Sequence, residues 1–147
     1  MRKVNWTAVV VASIVYFIGA GVWFTVLKQP YLVGIGKTEE EMMRQAGGHV
    51  AYPYIVAFLC TIVIARVLAQ VIVATSQNPT AMHGLRVAFY AWGGFVATTF
   101  LTEYVFELRS VTIWVITAGY PLIGMLIMGG ILGAWQKKEA VVRSAGA

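Results

Sequence analysis

The chain has 147 residues, of which 59% are hydrophobic and only 12% charged, with a formal net charge of +5. Soluble domains are about half apolar and about a quarter charged, so this composition excludes an ordinary water-soluble fold and points to a membrane protein. The length admits one compact bundle, and a mean hydropathy of +0.75 reflects long stretches without charge.

The first apolar segment covers residues 4–27, after Met1-Arg2-Lys3. That start resembles a signal peptide, but the apolar part is too long for one and no clear small-x-small cleavage site follows, so it is expected to remain as a first span. Three more segments follow at 51–75, 82–106 and 111–135. Each is long enough to cross a hydrocarbon core of about 30 Å with some tilt. Backbone polar groups cannot stay unpaired in lipid, so the segments are predicted helices. The expected fold is all-α: a four-helix transmembrane bundle forming one membrane domain over residues 1–147. Trp6 and Trp23 bracket the first segment, and Trp114 and Trp135 the fourth. Their spacings, about 25 and about 31 Å along a helix, match two interfaces of one bilayer.

The connections differ in character. Residues 28–48 form the one long loop, in which "KTEEEMMRQAGG" predicts a short interfacial helix. Thr38 is its candidate N-cap with Glu41 three residues on, acids fill the first turn, Arg44 comes late and Gly47 stops it. Residues 76–81 and 107–110 are tight turns, which make the helices they join antiparallel neighbours. Arg2, Lys3, Arg86, Lys137, Lys138 and Arg143 fall on one side of the membrane, and Lys28, Lys37, Arg44 and Arg109 on the other. This narrow excess favours cytoplasmic N and C termini.

Four stretches, "NWTAVVVASIVYFIGAGVWF", "GKTEEEM", "YVFELRSVTIWVITAGY" and "MGGILGAW", occur in that order from Asn5 to about Trp135. Together they resemble the bacterial membrane-protein family known as domain of unknown function 1761. The most specific part is Phe106-Glu107-x-Arg109 followed by Trp114 and Gly119-Tyr120; Phe24-Thr25-Val26 departs from the Tyr-Ser-Pro-like residues expected there. The resemblance implies a four-helix integral membrane protein, and the expected location is the bacterial inner membrane. It implies no activity.

Small residues are the packing signal. Gly129 and Gly133 form a GxxxG pair, Gly93 and Ala97 a small-xxx-small pair, and Gly19, Gly21, Gly119 and Gly124 also lie within spans. Such positions let helix backbones approach, either within one bundle or between copies of it. Pro121 removes a helical hydrogen bond and predicts a kink in the fourth helix.

The candidate polar pathway is Arg66, Gln70, Thr99 and Glu103. Arg66 is the deepest charge, about 15 Å from the turn at Ser76, with Gln70 one helical turn along. A charge within a span is a functional-site hypothesis; the competing reading is that Arg66 snorkels to the interface. Antiparallel pairing about Pro79 leaves Glu103 about 16 Å from the level of Arg66, so no direct pair is expected within one subunit. An inverted dimer would mirror those depths. Glu103 and Glu107 share a face with Thr99; Glu107 lies at the turn, where an ion pair with Arg109 is expected. Glu103 lies about 6–8 Å inside and is either part of a proton- or cation-coupled site or a water-reached rim residue.

Catalytic motifs are missing. His49 and His83 lie at opposite ends of the second segment and its turn, with no aspartate anywhere and only Cys60 as a thiol, so neither a metal site nor a Ser/His/Asp set is expected. One cysteine also rules out an intrachain disulfide. No cofactor and no nucleic-acid partner is expected; the scattered basic residues suit anionic lipid head groups instead. The leading functional reading is an ion or small-solute pathway in a homo-oligomer. The alternative is a structural or lipid-binding membrane accessory protein.

Overall fold

The computed structural model describes residues 4–47, 49 and 51–135. Arg2, Lys3, Lys137, Lys138 and Arg143, which carried five of the six charges on the side expected to be cytoplasmic, lie outside the described residues. The described chain is helical throughout its regular elements. Helix α1 spans Trp6–Val26, α2 Lys28–Ile35, α3 Glu39–Gln45, α4 Ala51–Thr75, α5 Ala81–Ala91, α6 Thr98–Phe106 and α7 Val111–Ala134. A π-helical turn, Trp92–Ala97, joins α5 to α6.

Three of these helices, α1, α4 and α7, are long and apolar enough to cross a membrane. This corrects the expectation of four unbroken spans. Residues 82–106 are instead divided by the π turn into α5, the turn and α6, none of which is long enough alone. The wide turn falls on Gly93-Gly94, two adjacent weak helix formers. A Cβ at either glycine would meet nothing within 4 Å, so Gly93 makes no close helix contact within the protomer. Both ends of the turn are tied to α7 instead. The Trp92 indole donates to the Ala118 carbonyl at 2.9 Å, and the Trp114 indole to the carbonyl of buried Ala97 at 3.1 Å.

The expected interfacial helix is α3, and its capping box is present. Thr38 Oγ1 accepts from the Glu41 amide at 3.2 Å, and Glu41 Oε2 accepts from the Thr38 amide at 2.9 Å, so two otherwise orphaned donors are satisfied. Gly47 follows with φ 57°, as a helix stop needs. The loop holds a second helix as well. α2 leaves α1 after a single residue, Leu27, and ends at Gly36, whose φ of 66° permits the Gly36 and Lys37 amides to reach the Val33 and Leu32 carbonyls. Lys28 at the start of α2 bridges to Glu39 at the start of α3 at 2.5 Å, and Lys37 Nζ donates to Gln45 at the end of α3 at 2.9 Å.

The interior is rich in small residues. Its fully buried positions include Ala8, Ala12, Ser13, Ala65, Ala69 and Ala88, while Ile14, Ile18, Val22 and Val26 of α1 and Leu59, Val63, Val67 and Val71 of α4 face outward. Val9, Ile72, Ile113, Met128 and Leu132 are fully buried beside these small residues, which let the helices approach closely. An exposed apolar surface this continuous is foreign to a soluble monomer.

The tightest contact joins α5 to α7, the most extensively packed pair of helices. Gly129 and Gly133 of the GxxxG pair do not face outward. A Cβ at Gly84 would strike the Gly129 carbonyl oxygen and come within 2.8 Å of its carbon; one at Gly133 would strike the Thr80 carbonyl and come within 3.0 Å of the Gly84 Cα. The motif is thus closed within the protomer by Gly84 and Ala88, a small-xxx-small pair on α5 that sequence reasoning passed over. At the opposite end of the bundle from the long loop, Asn5 caps α1 through the Thr7 amide and donates from Nδ2 to the Trp135 carbonyl at 2.8 Å, tying the start of α1 to the end of α7.

Candidate functional site

Arg66 lies nine residues from the end of α4, about 14 Å along the axis. Its side chain turns toward that end. Nη1 donates to Gln70 Oε1 at 3.0 Å, and the guanidinium carbon stands 5.5 Å from the ring centroid of Trp6, the first residue of α1. A long cationic side chain running along its helix toward an end-of-span tryptophan is the geometry of snorkelling, with a cation–π contact holding the head. Arg66 and Gln70 are therefore brought together as expected.

Thr99 and Glu103 lie elsewhere, on α6, which packs on α7. The threonine hydroxyls there serve their own helix. Thr98 donates to Gly94, Thr99 to Phe95 and Thr102 to Thr98, each to the carbonyl four residues back. Glu103 is exposed, three residues or about 4.5 Å from the end of α6. Its carboxylate has no ion pair or hydrogen bond among the described residues.

Glu107 and Arg109 form the turn pair, with Arg109 Nε 2.5 Å from Glu107 Oε2 and the guanidinium 5.3 Å from the Tyr104 ring centroid. Leu108 between them adopts φ 55° and is 93% exposed. The Leu108 amide reaches the Val105 carbonyl and the Arg109 amide the Tyr104 carbonyl, which is a Schellman end to α6 with leucine in the position glycine usually holds. At the other turn, His83 Nε2 lies 2.9 Å from Thr75 Oγ1, linking the ends of α4 and α5. Among the described residues, no three His, Cys, Asp or Glu side chains converge as metal ligands would.

A concave site that sequence reasoning missed lies between α1 and α7. It is a groove of about 450 Å³, lined by aliphatic residues of both helices together with Tyr16, Trp23 and Tyr120. The Tyr120 hydroxyl donates to the Tyr16 backbone carbonyl, and the two rings meet edge to face at 5.0 Å. Two glycines make room for them: a Cβ at Gly124 would lie 2.6 Å from the Tyr16 ring and one at Gly19 would lie 2.9 Å from the Tyr120 hydroxyl. The Trp23 indole donates to the Ile116 carbonyl at 3.0 Å. The available sequence signal was the recurrence of glycine and tyrosine at matching levels of the two spans, Tyr16 and Gly19 against Tyr120 and Gly124. Reading it requires knowing that these helices are neighbours.

The family model described as protein of unknown function (DUF1761) matches residues 7–133. The chain belongs to the DUF1761 family. The match takes in all of α2 to α6 and most of α1 and α7, so the groove, Arg66, Glu103 and the Glu107–Arg109 turn all fall inside the DUF1761 region. No curated protein and no solved structure matches the chain.

Proposed function

We propose that the chain is a four-crossing integral protein of the bacterial cytoplasmic membrane that serves as a lipid-binding, structural accessory without catalytic activity of its own. The third crossing is α5, the π turn and α6 in succession, residues 81–106, about 39 Å at helical rise. Both termini lie in the cytoplasm. The observation that carries the lipid-binding reading is the groove between α1 and α7. It sits within two apolar spans, and its Tyr120 hydroxyl and Trp23 N–H are engaged with backbone carbonyls. Its volume is in the range of small-ligand sites, roughly 300–1,000 Å³. The test is lipid retention: protein purified in mild detergent keeps at least one phospholipid per chain through extensive washing. Complete loss of phosphorus while the protein stays folded overturns the reading.

The second reading, an ion or small-solute pathway in a homo-oligomer, draws on the exposed Glu103 carboxylate. A carboxylate on the outer face of a membrane helix is costly unless water or a second subunit reaches it. Proteoliposome flux measured for the native chain, Glu103→Gln and Arg66→Ala separates the two readings. Background flux for all three rejects the pathway; flux in the native chain that Glu103→Gln abolishes establishes it.

A further inference from the structure

We propose that the α1–α7 groove is a binding site for one acyl chain of a phospholipid in the leaflet on the α2–α3 side. This rests on the lipid-binding reading above and names its ligand and position. On α1 the lining runs from Val15, next to the middle of the helix, to Leu27 just past its end. That distance is about 18 Å, close to half of a hydrocarbon core of about 30 Å. The α1 wall therefore extends from the bilayer centre to one interface, the depth of a single leaflet, while the α7 wall, Tyr120 to Ile127, closes the inner end near the middle of α7. The groove's outer end abuts Lys28, where α2 turns away along the surface.

The chemistry of the walls selects the occupant. The Tyr120 hydroxyl and the Trp23 N–H are spent on the Tyr16 and Ile116 carbonyls, so neither can orient a polar solute. The floor is preformed, because Gly19 and Gly124 let the two tyrosine rings lie against the opposite helix. A rigid apolar channel open along its length to the bilayer fits a flexible hydrocarbon chain.

Photocrosslinking tests the assignment. The full chain is reconstituted into phosphatidylethanolamine–phosphatidylglycerol vesicles containing a trace of phosphatidylcholine with a mid-chain diazirine, and adducts are mapped by mass spectrometry. The expected result is several-fold enrichment of adducts on residues 15–27 and 120–127 over the outward face of α4 from Leu59 to Val67. Val22 and Ile127 lie on the open side of the groove, about half exposed, so Val22→Trp and Ile127→Trp fill it with the floor intact. Each is expected to lose the enrichment while unfolding at the temperature of the native chain. Equal labelling of the groove and the α4 face overturns the proposal, as does enrichment that survives both filling substitutions. Efficient disulfide formation between copies of a Cys60→Ala, Val22→Cys variant in the bilayer also overturns it, since a second copy would then cover the groove. Retained phospholipid with uniform labelling rejects this site and leaves the lipid-binding reading standing; loss of all retained lipid rejects both.

Discussion

Gly84→Ala adds one methyl group at the closest backbone approach in the molecule. The new Cβ would strike the Gly129 carbonyl oxygen and lie 2.8 Å from its carbon and 3.1 Å from the Gly133 Cα. Carbon atoms rest at about 3.5–4.0 Å, so α5 and α7 must separate by about 1 Å, and a gap of that size forfeits about a quarter to a half of each dispersion well along the contact. The obstacle is backbone on both sides and no rotamer relieves it. The cost therefore falls at the upper end of the usual overpacking range, about 3 kcal/mol, or roughly 150-fold in the folding equilibrium. The reference substitution is Gly21→Ala, also within a span, where the added Cβ meets nothing within 4 Å; there the higher helix propensity of alanine should hold stability or raise it by up to about 1 kcal/mol. Reversible unfolding in mixed micelles of dodecyl sulfate and a mild detergent, followed by circular dichroism, measures both. A Gly84→Ala protein within about 0.5 kcal/mol of the native chain would refute the reasoning, because the helices could then not be in backbone contact at this point.

Three further outcomes are expected. Tyr120→Phe keeps the ring contact with Tyr16 but removes the bond to its carbonyl; the same unfolding assay should show a loss of about 1 kcal/mol, and an unchanged midpoint would count against that bond. Leu108→Gly relieves a non-glycine residue held at φ 55° on the surface; the gain should be about 1 kcal/mol, and destabilisation would contradict the left-handed turn. In a Cys60→Ala background, single cysteines at Asn78 and Ser110, the two ends of the proposed third crossing, should react with an impermeant maleimide from opposite sides of sealed vesicles, with Glu40→Cys labelling on the Ser110 side. Labelling of Asn78 and Ser110 from one side rejects the four-crossing reading.

Composition and pattern determined that the chain carries helices long and apolar enough to cross a membrane, and where the apolar segments lie. α4 occupies residues 51–75 as expected, and α1 and α7 end within two residues of the expected limits. Length, the absence of charge and the need to satisfy every backbone group in lipid are properties of a linear sequence, and they suffice for this. The Thr38–Glu41 capping box and the Glu107–Arg109 pair were legible for the same reason, since partners two or three residues apart meet whatever the rest of the chain does. Tertiary structure alone decided what the small residues touch. Gly129 and Gly133 signalled a close contact, but only the antiparallel register of α5 against α7 supplies Gly84 as the partner. That register likewise gives Trp92 and Trp114 carbonyls of neighbouring helices to bind, and places a π turn at Gly93-Gly94 where an unbroken span was expected. The groove depends on it most of all. Tyr16 and Tyr120 are 104 residues apart, and the cavity they floor exists only because α1 and α7 lie side by side with a glycine facing each ring. Helical periodicity marks the face a residue occupies, but which helix meets that face is set by packing across the whole bundle.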